Sequence, residues 1–154
     1  MQRSTKLLTE YLNEETILFA ENVSGWREAI EMVSRPLLEN GAINRGYVDA
    51  MIESIANGGT YIDLGYGIAL AHARPEAGVL KTGLSALRVR PEVLLNDEDA
   101  HPISLFVCLA AADKNQHLET LAALGRLLSN PSARESLLAA TNVTEAVAVL
   151  EAGK

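Results

Sequence analysis

The 154-residue sequence holds a single cysteine, Cys108. One thiol cannot form a disulfide within the chain, and its setting, "SLFVCLAA", is that of a buried small apolar side chain. A reducing cytoplasm is the default compartment for such a chain. Apolar runs of membrane-span length are absent, so the chain is not read as membrane-embedded. The opening stretch, "MQRSTKLLTEYLNEE", turns acidic and polar before a signal-peptide core can form. Basic residues are the minority: 13 Lys and Arg against 20 Asp and Glu give a net charge of −7. That balance speaks against nucleic acid as a partner, because phosphate backbones need clustered cations. A Gly-Lys-Ser/Thr phosphate loop, a Gly-x-Ser-x-Gly elbow and a Cys pair are all missing, which removes the common nucleotide and hydrolase readings. Low-complexity linkers and internal repeats are missing too. The chain therefore reads as one domain over residues 1–154.

What is present is a mixture of two periodicities. "ETILFAENV" (15–23) is rich in β-compatible residues and predicts a first strand. Trp26, Ala29, Ile30, Val33 and Leu37 then recur at helical spacing, with Ser24 in position to cap and Pro36 expected to kink or end the helix early. Asn44 can cap a second helix that turns Val48, Met51, Ile52 and Ile55 inward and stops at Gly58-Gly59. Strands are expected at Gly67–Ala71, Thr82–Val89 and Ile103–Ala110. A helix capped by Asp113 or Asn115 carries Leu118, Leu121, Leu124, Leu127 and Leu128 and ends at Pro131. Two shorter helices follow, near Ser132–Ala139 and Thr144–Leu150. Such an alternation predicts an α/β fold, a sheet covered by helices on both faces.

Three histidines are the candidates for chemistry. His72 closes the apolar run in "GIALAHARPEAGV" (67–79). A lone histidine at a strand end is usually structural or a surface residue. Here a rigid strand would hold it, while Ala73 and Gly78 leave room near the ring. A neutral imidazole has a lone pair that can act as nucleophile, base or metal ligand. His117 falls in the first turn of the helix within "DKNQHLETLAALGRLL". A solvated polar residue is common there, yet a helix N-terminus also offers free N–H groups to an anion. His101 alternates with Asp97 and Asp99 in "NDEDAHPISLF". That stretch reads better as a polar turn than as a metal site, and no further ligand spacing supports a metal.

"GIALAHARPEAGVLKTG" resembles the active-site stretch of the enzyme IIA proteins of the bacterial sugar phosphotransferase system, in the mannitol–fructose superfamily. The likeness extends over "WREAIEMVSRPLLENGAI", "YVDAMIESI" and "DKNQHLETLAALGRLL", and "GGTYIDLGYGIALAHARPEAGVLKTG" is most similar to the ascorbate-type branch. The resemblance implies a three-layer α/β/α sandwich around a mixed sheet. It gives His72 the place of the phosphorylated residue and His117 that of the second active-site histidine. Ser54 stands where the mannitol branch has a phosphate-binding arginine, and Arg74 is a candidate replacement for that charge. Ala71 replaces the usual proline before the histidine.

The implied activity is that of a phosphocarrier. A small phosphohistidine carrier protein would donate to His72, and His72 would pass the group to a cysteine of a IIB protein working with a membrane IIC permease. No cofactor, nucleotide or metal is required. Protein partners would dock over His72, on an apolar patch using Ile68, Leu70 and Val79. A homodimer is compatible with the resemblance. The rival reading is a regulatory protein of the same fold, whose phosphorylation state is read by a transcription or transport regulator.

Overall fold

The computed structural model describes residues 8–152. Residues 1–7 and 153–154 lie outside it, and with them the start of the stretch read above as lacking a signal peptide. Strands β1 (Ile17–Glu21), β2 (Asp63–Gly65), β3 (Ile68–Ala71), β4 (Gly83–Leu94) and β5 (Pro102–Ala110) form one sheet in the order β1-β4-β5-β3-β2. The sheet is mixed: β1 runs parallel to β4, and β3 parallel to β5. The β4–β5 and β2–β3 pairs are antiparallel. Among the helices are α1 (Trp26–Glu39), α2 (Arg45–Ala56), α3 (Lys114–Ser129), α4 (Pro131–Ala139) and α5 (Val143–Ala152), and residues 8–11 are helical as well. No helix among the described residues is long and apolar enough to cross a membrane.

Strand alternation divides the core into two layers. Along β5, Phe106, Cys108 and Ala110 face a cluster built from Trp26, Ile30, Val33 and Leu37 of α1 and Tyr47, Val48, Met51 and Ile55 of α2. Leu105, Val107 and Leu109 face the other cluster, with Ala123, Leu124 and Leu127 of α3 and Ala146 and Leu150 of α5. β3 divides in the same way, Ala69 and Ala71 against Ile68 and Leu70. β5 is buried on both faces and so reads in sequence as a nearly continuous apolar run. Helices therefore cover both faces of the sheet, as the sequence pattern predicts.

Several local expectations are corrected. Helix α1 continues through Pro36 to Glu39. Pro36 sits in the last turn, where its missing N–H removes one bond and little helix follows it. Ser24 is not the cap: Gly25 holds that position, and Glu28 reaches back to accept the Ser24 N–H at 2.7 Å. This hydrogen bond holds the Glu28 carboxyl below its usual range. Pro131 does more than stop α3, since it opens α4 directly, with the Asn130 side chain accepting the Ala133 N–H at 3.1 Å. The short edge strand β2 has no counterpart among the expected strands. Ile68 and Leu70 are 1% and 7% exposed, so they belong to the core and cannot form the docking patch expected of them.

Cys108 is fully buried beneath α2, and burial pushes its thiol up to about 12. A thiol so placed holds little reactive thiolate at neutral pH. A disulfide reagent should leave Cys108 untouched in the native protein and modify it fully in denaturant. Rapid native-state labelling, followed by absorbance of the released thiolate, would contradict this burial.

Candidate active site

The parallel strands β3 and β5 end side by side, with Ala71 paired to Cys108. Beyond this point the two chains separate, and an open cleft of about 920 Å³ lies between them. Its walls include His72, Ala73 and Arg74 from the end of β3, Asp113, Lys114 and His117 from the start of α3, and Tyr47 and Ser54 from α2. The two histidines singled out in the sequence, 45 positions apart by their numbers, thus line one cleft, and Arg74 lines it with them. Crevices at strand carboxyl ends are the usual ligand sites of α/β sheets.

The ring of His72 is oriented by its own strand. Nδ1 lies 3.0 Å from the Leu70 carbonyl oxygen. A carbonyl can only accept, so Nδ1 carries the proton and the lone pair resides on Nε2. Tyr61 meets the ring edge-on, with centroids 6.5 Å apart and planes at 76°. Tyr61 is itself 72% exposed. Nε2 is thereby the ring nitrogen with its lone pair available for bonding to an electrophile.

His117 is set by helix capping. The Asp113 side chain accepts the Gln116 N–H at 2.8 Å, and the Asp113 carbonyl accepts the His117 N–H at 3.0 Å. Thr82 fastens this first turn to the neighbouring loop: its hydroxyl contacts the Gln116 side chain and accepts the Ala112 N–H at 3.0 Å. The positive end of α3 therefore opens onto the cleft, with Lys114 beside it. Lys114 was not identified from the sequence; its place in a helix's first turn next to a candidate histidine was the available signal.

His101 stands elsewhere. Its Nδ1 is 2.8 Å from Asp63 Oδ2, and its Nε2 is 3.8 Å from Glu98. It thus ties the segment before β5 to β2. Gly78 also has a different role from the one expected. It does not line the cleft; a Cβ there would fall 2.0 Å from Asn44 Oδ1, and its carbonyl accepts the Asn44 N–H at 2.9 Å. Gly78 allows the loop after His72 to close against the start of α2, while Ala73 and Ala77 provide the space in the cleft.

A structural contributor missed in the sequence is Tyr47. Its phenol oxygen accepts the Ala73 N–H at 3.0 Å and donates to the Leu109 carbonyl at 2.6 Å. Both bonds span the fork between β3 and β5. Tyr47 is 1% exposed, and desolvation first of all raises its pKa, so it remains the neutral donor. An aromatic at the inward position of α2 looks like ordinary core packing in sequence, and no sequence signal reveals the hydroxyl's role.

The mixed five-stranded sheet with helices on both faces matches the fold of solved phosphotransferase IIA proteins. The chain belongs to the family described as phosphoenolpyruvate-dependent sugar phosphotransferase system, EIIA 2, which matches residues 10–153. It is a IIA phosphotransferase component. The mannitol-specific cryptic phosphotransferase enzyme IIA component of Escherichia coli K12 is 34% identical over 95% of this chain and 99% of its own. The solution structure of the Escherichia coli cryptic mannitol IIA has a TM-score of 0.85, at 33% identity, over 94% of this chain and 98% of that one. An ascorbate-specific EIIA component from Salmonella typhimurium is 29% identical over 74% of each chain. Escherichia coli mannitol IIA, solved with phosphorylated IIB, has a TM-score of 0.75 at 27% identity, covering 92% of this chain and 97% of that chain.

Replacing Tyr47 by Phe should cost about 1–3 kcal/mol, because it removes the partner of a part-buried N–H and a buried carbonyl. Denaturant unfolding measures the loss, and hydrogen exchange should quicken at the Ala73 amide. Unchanged stability and exchange would show that the phenol does not hold the fork.

Proposed function

We propose that His72 Nε2 accepts a phosphoryl group from a phosphohistidine carrier protein and passes it to the cysteine of a IIB partner. The carrying observation is that His72 and His117 line one cleft while the Leu70 carbonyl holds the His72 Nδ1 proton. In the first step, the Nε2 lone pair attacks phosphorus and the donor's N–P bond breaks. The donor ring leaves with that electron pair. The phosphorylated His72 ring then carries positive charge and keeps its Nδ1 proton, so its hydrogen bond to Leu70 becomes charge-assisted and stronger. An interaction that strengthens as the reaction proceeds lowers the barrier. In the second step, a IIB thiolate attacks phosphorus, the Nε2–P bond breaks, and His72 returns to its starting tautomer.

The equatorial oxygens need positive partners during each transfer. His117, Arg74, Lys114 and the first turn of α3 supply them. Arg74 is exposed and close in sequence to His72, which suits it to replace the charge that Ser54 does not offer. The exposed apolar residues beside the site are Tyr61 and Leu118, at 72% and 55%, and these take the docking role that Ile68 and Leu70 cannot. A modest apolar centre with a polar rim fits brief encounters with successive partners.

The reading extends to a single cytoplasmic IIA domain over residues 1–154, supplying a IIB protein and its membrane IIC permease. The names of the relatives support a mannitol-type or ascorbate-type sugar. The mannitol IIA complex with phosphorylated IIB supports the acceptor.

Labelling from phosphoenolpyruvate through the general phosphotransferase proteins tests the assignment. His72→Ala should abolish an acid-labile label while the fold persists. His117→Ala should slow labelling by about 10²–10⁴-fold, the scale of a positioned acid/base or oxyanion group. Undiminished labelling of His72→Ala would overturn the assignment.

A further inference from the structure

The far end of the sheet carries two cations that phosphoryl transfer does not use. β4 runs antiparallel to β5, so Gly83, opposite Ala110, lies near the cleft, whereas Arg88, opposite Leu105, lies toward the other end. Phe19 pairs with Arg88 and Glu21 with Arg90 along the β1–β4 ladder. Alternation places Arg88 and Arg90 on one face of β4, and both line a cavity of about 320 Å³ with Phe19, Glu21 and Thr141.

Arg88 is half-buried, and its Nη1 donates to the Ala140 carbonyl at 3.3 Å. Its Nε is buried and has no hydrogen-bond partner. Burial, and then the neighbouring Arg90 charge, lower the Arg88 pKa. Among the described residues, no carboxylate lies within 4 Å of either guanidinium; Glu21 shares the cavity without pairing. A buried donor without a partner costs about 1–3 kcal/mol. In a chain of net charge −7, two arginines side by side on one strand face without a carboxylate partner are unusual. A tetrahedral oxyanion in the cavity supplies the missing counter-charge, because guanidinium forks match phosphate oxygens bidentately and both arginines line the cavity. Glu21 leaves the pair a net charge of about +1, which suits a small anion rather than a polyanion. The cavity volume lies at the low end for small-molecule sites, enough for a phosphate group and a few carbons.

We propose that Arg88 and Arg90 form a second anion site, for inorganic phosphate or a small phosphomonoester, at the end of the sheet opposite His72. Occupancy there is independent of the carrier histidine.

The test follows the side-chain Nε–Hε signals of arginine in isotope-labelled protein at constant ionic strength. Inorganic phosphate and glycerol phosphate are titrated in parallel, with chloride as the control. The expected result is a saturable shift of the Arg88 Nε–Hε signal, retained in His72→Ala and His117→Ala. Saturation by phosphate alone identifies the free ion, and tighter binding of glycerol phosphate identifies a phosphomonoester. Arg90→Ala, at an exposed position, should weaken binding at least tenfold. Arg88→Lys keeps the charge but removes the guanidinium fork and should do the same. Shifts that chloride reproduces, that never saturate, or that appear only around residues 72–74 and 113–117 would overturn the proposal. So would full retention of binding in Arg90→Ala.

Discussion

Two parallel strands that end together and then part leave backbone groups without partners. In this protein the strands are β3 and β5, and the hydroxyl of Tyr47 fills the fork between Ala73 and Leu109. A buried amide or carbonyl at such a place is costly to leave unpaired. The phenol therefore fixes how far the two chain segments separate. Everything that follows depends on this spacing: His72 leaves from one strand, the first turn of α3 continues from the other, and the cleft between them is wide enough for a reacting group. The tyrosine also couples α2 to the site, so one helix supports both the core and the cleft.

The site is built mainly from backbone chemistry. The Leu70 carbonyl selects the tautomer of His72, and capping by Asp113 sets the helix turn that carries His117. Among the described residues, no carboxylate pairs with the ring of either histidine, which suits the proposed carrier role. A strong counter-charge beside the phosphorylated ring would repel the phosphoryl group and would bind an incoming donor's cations too firmly. A carbonyl dipole orients the ring and stabilises its positive form with less interference.

Much of this could be read from the sequence, for physical reasons that differ by element. The doubly buried β5 appears as an apolar run, and α1 shows its inward face at helical spacing. His72 and His117 stood out because one ends a strand and the other begins a helix, positions where backbone geometry leaves a side chain accessible. β2 escaped notice: three residues containing a glycine carry no alternation to detect. Leu118 appeared to belong to the apolar stripe of α3, yet it is exposed, because Thr120 and Ala123 turn inward in that part of the helix. Ile68 and Leu70 were expected in a docking patch because they lie just before His72 on β3. Its pairing with β5 in the sheet interior buries them instead. The role of Tyr47 depends on contacts across 26 and 62 residues, which local pattern cannot contain.

The most direct test of the account is the identity of the phosphorylated ring nitrogen in the wild-type protein. Histidine ring ¹⁵N spectra of the protein labelled from phosphoenolpyruvate would report it. Phosphorus on Nε2 of His72, with Nδ1 still protonated and hydrogen-bonded, is the predicted result. Phosphorus on Nδ1 of His72, or on either nitrogen of His117, would contradict it.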